Sequence, residues 1–486
     1  MPTHRNAILC IAAVATLILA AADAAFAQKV FSRGSSSNIG AGGPSRGDGG
    51  YRGGGWGGPG VLMAIPQMGP SGRQYIDDDV PQDAGRPPQR STLRGPSGAP
   101  AANERRLVPD EVVIEVANSV SPQQIDALQL RYRLTRIESQ TSQLSGTTLL
   151  RWRIPDRRSV AAVTRALETD RVVASAQPNY LFTLQQDEGK AVVEGDAAQY
   201  ELAKLRLPQA HGLAKGDKVL VAVIDSGVDA SHPELAGAVA ETYDTLTAPM
   251  TPHKHGTAIA GLIAAHGKLM GAAPGAHILA IRAFDAAGAS AEGTTFNILK
   301  SLDWAAAHGA RVINMSFAGP PDPALHRSLE AAHKKGIVLV AAAGNAGPKS
   351  PPLYPAADPN VIAVTATDAD DKLFAQANRG RHIAVAAPGA QILVAIPDGG
   401  YEVSSGTSYS AAEVSGIAAL MLERKSGLTP DKLRDILLAT AKDLGLKGRD
   451  TMFGAGLADA YGALMAEETP MAAMPRPVER ASTGAR

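Results

Sequence analysis

A chain of 486 residues has room for about three average domains, and with 45% hydrophobic and 19% charged residues it can build a packed core, which excludes wholesale disorder. Lys and Arg number 47 against 47 Asp and Glu, so the formal charge is zero and no global field favours nucleic acid or an anionic membrane. The one cysteine, Cys10, excludes a disulfide framework and cysteine-built zinc sites.

At the amino terminus Arg5 precedes an uncharged, mostly apolar run from Ala7 to Ala22. Ala25-Phe26-Ala27 then supplies the small-x-small pattern that a signal peptidase reads, so residues 1–27 are expected to be a signal peptide and the chain to be exported, to a periplasm or beyond the cell. The run is shorter than the roughly 20 residues that span a bilayer, and no membrane span is expected after its removal. Residues 28–106 hold 18 of the 50 glycines and nine prolines, too few aliphatics to offset the entropy of ordering, and read as a disordered spacer. Within it, Tyr51-Arg52-Gly53-Gly54-Gly55-Trp56 is similar to segments that bind single-stranded nucleic acid. Export and a weak surplus of ten basic over six acidic residues favour the plain spacer, with no nucleic-acid partner. Residues 467–486 read as a loose tail.

From Leu107 the periodic patterns begin. Val112 to Val116 alternates as a strand. Ser121-Pro122 gives an N-cap and a proline at the first helical position, followed by Ile125, Leu128 and Tyr132 at helical spacing. Strand-like runs follow at Arg136 to Gln140 and Thr148 to Ile154, Ser159 opens a second helix through Val160, Val163 and Leu167, and Val172 to Ala176 forms a last strand before Pro178-Asn179-Tyr180. This βαββαβ order over residues 107–186 suggests a ferredoxin-like α+β unit, a fold that carries no function by itself.

Residues 187–199 read as a polar linker and 200–466 as a second, larger domain, in which strands and helices alternate from Lys218 onward. The strands are expected at Val219 to Ile224, His277 to Ile281, Val312 to Met315, Val338 to Ala342, Val361 to Thr365 and Ile383 to Ala386. Helices are expected at Gly256 to Ala265, Thr294 to His308, Pro323 to Lys335, Tyr409 to Lys425 and Pro430 to Thr440. Near-continuous Val/Ile/Ala strands separated by helices predict an α/β parallel sheet buried on both faces. Chemistry on such a sheet belongs at the carboxyl ends of its strands.

Four residues sit at strand ends or helix starts. Asp225 ends an apolar strand, His255 and Ser408 each stand just before a helix, and Asn345 follows a strand in Ala343-Gly344-Asn345. Alone, each has a bland reading as a turn or cap residue. Together they meet a chemical need. A serine hydroxyl is a poor nucleophile unless an imidazole takes its proton, the imidazolium needs a carboxylate, and a tetrahedral oxyanion needs fixed donors such as an Asn amide and a helix-start N–H. A competing reading makes His253 and His255 a metal pair, although no third ligand stands at recognisable spacing.

The order Asp225, His255, Ser408 resembles the subtilisin-like serine proteases. The segments that carry the resemblance are Val221-Ala222-Val223-Ile224-Asp225-Ser226-Gly227 with His232-Pro233-Glu234-Leu235, His255-Gly256-Thr257 with Ala260-Gly261, Ile313-Asn314-Met315-Ser316, Ala341-Ala342-Ala343-Gly344-Asn345, Gly406-Thr407-Ser408, and Gly454-Ala455-Gly456-Leu457 with Asp459-Ala460. It covers about residues 200 to 465. It implies a three-layer parallel-sheet catalytic domain in which Asp225 orients the imidazole, His255 acts as base and then acid, Ser408 attacks the peptide carbonyl and Asn345 lines the oxyanion hole. Ser316, Phe317 and Ala318 match the strand that borders the primary substrate pocket, and Ala346 brings no charge there, so apolar or uncharged side chains are expected to be preferred over Lys or Arg.

By the same resemblance residues 107–186 would be a propeptide that assists folding and plugs the cleft as an intramolecular inhibitor until it is cut between Tyr180 and Tyr200. Substrates would be polypeptides and the enzyme a monomer. The chemistry would need no cofactor; relatives commonly hold structural calcium, for which no reliable loop signature is present. Two departures stand out. Lys254 replaces the glycine usual before the histidine, and Tyr409-Ser410-Ala411-Ala412 replaces the usual Met-Ala-x-Pro after the serine. A catalytically silent binding protein on this fold and a metal-dependent hydrolase are the rival readings.

Overall fold

The structure is a computed structural model that describes residues 97–185, 190–191, 199–247, 251–286 and 291–466. The expected signal peptide, most of the glycine-rich spacer, most of the linker and the terminal tail lie outside the described residues.

The small domain runs β1 (Leu107–Ala117), α1 (Pro122–Tyr132), β2 (Thr135–Ser142), β3 (Thr147–Arg153), α2 (Val160–Leu167) and β4 (Val173–Leu184). Its strands pair antiparallel in the order β2-β3-β1-β4, the ferredoxin-like arrangement. Ser121 and Gln124 form the reciprocal capping box of α1, and Ser159 caps α2 as its position implied. Val112, Ile114, Val116, Leu150 and Trp152 pack against Leu128, Val163 and Leu167 of the two helices. Residues ahead of Leu107 are already tied to this domain: Gly98 N and Ser97 Oγ both donate to Glu168, at 2.6 and 2.8 Å.

The large domain continues with β5 (Lys190–Ala191), α3 (Tyr200–Lys204), α4 (Leu207–Ala210), β6 (Leu220–Asp225), β7 (Val239–Asp244), α5 (Lys254–Ala264), β8 (His277–Arg282), β9 (Phe284–Asp285), β10 (Glu292–Thr294) and α6 (Thr295–Ala307). After these come β11 (Val312–Met315), β12 (Phe317–Ala318), α7 (Pro323–Lys334), β13 (Val338–Ala342), β14 (Ile362–Thr367), β15 (Ile383–Pro388), β16 (Ile392–Ile396) and β17 (Gly400–Ser404), then α8 (Thr407–Arg424), α9 (Pro430–Thr440) and α10 (Ala460–Ala466). The main sheet is seven-stranded and parallel throughout, in the order β15-β14-β13-β11-β6-β8-β7.

Strand alternation sorts its side chains into two cores. Val221, Val223, Val338 and Val340 face α5 and α8, meeting Ile259, Ile263, Ile417 and Leu420. Ala222, Ile224, Leu339 and Ala341 face α6 and α7, meeting Ile298, Leu302, Leu325 and Leu329. The result is the expected three layers, and each fully buried Val, Ile or Leu contributes about 1.5–3 kcal/mol of transfer free energy. Among the described residues no helix is long and apolar enough to cross a membrane.

Two expectations shift. The fourth strand of the small domain does not stop near Ala176 but runs through Pro178 to Leu184, because its far half pairs with the large domain: Leu181, Phe182 and Thr183 with β10, and Thr183 and Leu184 with β12. Helices α5 and α8 begin two residues earlier than their apolar patterns indicated, so His255 and Ser408 lie inside first turns and not ahead of them.

Candidate active site

Asp225, Ser316 and Asn345 follow or end β6, β11 and β13, three neighbouring strands of the parallel sheet, so their positions at one edge follow directly from the topology. Asp225 is fully buried beneath that edge. Its carboxylate accepts from Ser226 N at 2.8 Å, Ser226 Oγ at 3.0 Å and His255 Nδ1, which lies 2.7 Å from Oδ1 and 2.9 Å from Oδ2. A carboxylate accepts only, so the bond assigns the ring proton to Nδ1 and leaves Nε2 with its lone pair free. That Nε2 is buried and has no hydrogen-bond partner among the described residues.

Helix α5 approaches the turn after Asp225 closely enough that a Cβ on Gly256 would stand 2.3 Å from the Gly227 carbonyl oxygen, so only glycine fits beside the histidine. The other histidine of the predicted pair, His253, caps this helix, and its Nδ1 lies 2.8 Å from Ser226 Oγ. Burial holds its pKa below the ordinary imidazole value, against the pull of Asp225. The two imidazoles thus turn their Nδ1 atoms to Ser226 and Asp225. Among the described residues no group of three or more metal-binding side chains forms around them.

Ser408 is fully buried in the first turn of α8. Its hydroxyl donates to the backbone carbonyl of Gln185 and stands 3.3 Å from that of Ser316. It is not bonded to His255; the rings of His255 and Tyr409, the residue after the serine, are 6.3 Å apart. Asn345 is fixed by the same helix start: its Oδ1 accepts from Thr407 N at 3.1 Å and Thr407 Oγ1 at 2.9 Å. This orientation leaves Asn345 Nδ2 buried without a partner among the described residues. Asn378 holds the loop behind it, donating its backbone N–H to Gly344 O at 2.9 Å and accepting from Ala346 N at its Oδ1 at 2.9 Å.

The cleft is filled by the chain's own segment. The end of β4 lies antiparallel between β10 and β12, with Leu184 opposite Phe317 and Thr183 opposite Ala318. Gln185 continues the ladder by donating its N–H to Ser316 O at 3.1 Å. Phe182 meets Phe317 edge to face at 5.9 Å, and a Cβ on Gly319 would fall 2.3 Å from the Phe182 ring, so glycine opens the space for that side chain.

All seven residues singled out from sequence therefore gather at one rim: Asp225 on His255, Ser408 and Ser316 on Gln185, Asn345 on Thr407, and Phe317 and Ala318 against the inserted strand. Sequence reasoning missed four others. Ser226 and Thr407 were adjacent to named residues, and their hydroxyls beside a buried Asp and Asn were a readable signal. Asn378 and Gln185 carried none, since their roles depend on contacts across the fold.

Residues 216–456 match the model of the subtilase family, peptidase S8. The chain is 36% identical over 315 residues to a thermophilic serine proteinase of Bacillus sp. (strain AK1), covering 63% of this chain and 76% of that one. Thermitase of Thermoactinomyces vulgaris is 36% identical over 274 residues, 55% of this chain and 95% of its own, and subtilisin E of Bacillus subtilis (strain 168) is 34% identical over 298 residues, 58% and 77%. Among solved structures, fervidolysin of Fervidobacterium pennivorans, a keratinolytic enzyme related to subtilisin, superposes with a TM-score of 0.63 at 24% identity. That match covers 74% of this chain, which spans 61% of fervidolysin's length, and at this identity it speaks for the fold. With a parallel sheet of this order, these segments and these relatives, the chain belongs to the subtilase family of serine endopeptidases.

Proposed function

We propose that the protein is exported as a proenzyme and hydrolyses peptide bonds through an acyl-enzyme formed on Ser408. His255 Nε2 takes the Ser408 proton as Oγ bonds to the substrate carbonyl carbon, and Asp225 stabilises the imidazolium. The electron pair released onto oxygen is held by Asn345 Nδ2 and the helix-start N–H of Ser408. Collapse breaks the C–N bond, His255 returns the proton to the leaving amine, and water releases the acyl group by the same steps. In the closed state described above, Ser408 must first turn its hydroxyl from the Gln185 carbonyl toward His255. No cofactor enters these steps.

The observation that carries this reading is the combination of a serine hydroxyl engaged with a peptide carbonyl and two buried groups, the His255 Nε2 and the Asn345 Nδ2, that have no partner among the described residues. The segment Ser316-Phe317-Ala318 then binds extended polypeptide substrates, and residues 107–186 act as an inhibitory propeptide released by a cut between Tyr180 and Tyr200. A fluorophosphonate probe tests the reading. Processed enzyme is expected to be labelled and Ser408→Ala not; processed protein that resists labelling would instead make the chain a silent binder.

A further inference from the structure

We infer that the bond cut in maturation is the one following Gln185, and that the primary pocket selects glutamine. This rests on the proenzyme reading above and specifies its first substrate. Gln185 is the residue whose carbonyl receives the Ser408 hydroxyl, and its N–H donates to Ser316 O, so the ladder between enzyme and inserted strand ends at this residue. The residues before it are held on both sides, by β10 and β12, in the extended form that a peptide needs to present one carbonyl to the nucleophile.

The side chain is read as well as the backbone. Gln185 is 9% exposed, and its Oε1 accepts from Asn345 N–H at 2.9 Å. Its Nε2 donates to Thr183 O at 3.1 Å and Leu184 O at 3.2 Å, within the inserted strand itself. Both halves of the amide are therefore satisfied. A leucine would leave the Asn345 N–H unpaired in a covered site, and a glutamate, which has no amide hydrogens, would face two carbonyl oxygens. A pocket that merely fits an apolar side chain distinguishes shapes weakly, whereas one that pairs a polar group discriminates against analogues lacking it. In the cut, Ser408 Oγ bonds to the Gln185 carbonyl carbon, the Gln185–Gln186 C–N bond breaks, the proton from His255 goes to the Gln186 amine, and water then frees the Gln185 carboxylate.

The test uses the full chain and its Ser408→Ala variant, with intact masses and N-terminal sequencing of the products. A small fragment ending at Gln185, absent in Ser408→Ala, supports the assignment. A Ser408-dependent cut at another bond overturns it while leaving the proenzyme reading intact, and the absence of any Ser408-dependent cut overturns both. Processed enzyme is also given a peptide of the sequence of residues 180–190. Cleavage after Gln185 is expected, with kcat/KM falling about tenfold or more for the Gln185→Leu peptide and again for Gln185→Glu. Equal or faster cleavage of the leucine peptide overturns the glutamine preference.

Discussion

His255 and Asn345 share a physical design: each is held by bonds to one half of its polar group so that the other half is unspent. Two Asp225 oxygens fix one nitrogen of His255 and free the other, and Thr407 fixes the Asn345 oxygen and frees its nitrogen. An unpaired buried donor is destabilising in the resting protein, and in the proposed mechanism it is paired by an oxyanion that appears only in the transition state. Asn345→Ala is expected to lower kcat by about 10² to 10³, a magnitude taken from the corresponding loss in subtilisin itself, with KM little changed. A near-normal kcat removes the assignment. These residues were legible because each stands where an apolar strand ends or a helix begins and because together they meet one chemical need. The orientation of Ser408 was not, because its acceptor lies 223 residues away.

At the scale of elements, α3 and α8 share a pair of buried acids. Glu201 and Glu413 are each 1% exposed. Burial pushes Glu201 up to about 7, and burial reinforced by Glu201 holds Glu413 well above the usual carboxylate range. A carboxyl whose folded value is raised stabilises the fold while it is protonated, fully so below its unfolded value near ~4.3, and that stabilisation is lost as pH rises through about 7. Thermal stability of the processed enzyme is therefore expected to fall from about pH 4.3 up to about pH 7, and Glu413→Gln to flatten that slope. An unchanged slope in the variant would place the effect elsewhere. The short helix α3 escaped the sequence reading because five residues offer too little periodicity. Strand β7 escaped because it is an edge strand whose middle residues face solvent, so it lacks the apolar run of its neighbours.

At the scale of the molecule, the small domain is docked by polar side chains that cap the helices of the large one. Asn179 Oδ1 accepts from Phe296 N at the start of α6 at 3.1 Å, and Gln177 Oε1 accepts from Ala324 N at the start of α7 at 2.8 Å. Gln177 Nε2 also donates to Asp322 Oδ1 at 2.6 Å, while Val113 and Leu149 pack on Phe296 and Leu299. Helix starts attract acceptors because their first N–H groups have no partner in the helix. Added in trans to processed enzyme, small domain carrying Gln177→Ala is expected to inhibit about tenfold less tightly than the wild-type domain, since it leaves Ala324 N–H and Asp322 each short of a bond. Equal inhibition constants would show that the strand in the cleft carries the docking alone.

The residue patterns by themselves determined the alternation of strand and helix, the two-domain order and the three chemical partners, because periodicity and strand-end position are local properties of the chain. The tertiary structure alone decided how far β4 extends, what covers the nucleophile and which amide donors are left free. Those outcomes come from pairing between segments far apart in the chain, from 62 residues for Asn345 and Thr407 to 223 for Gln185 and Ser408, where the choice of partner is set by sheet register and helix packing and leaves no mark in the sequence of either segment.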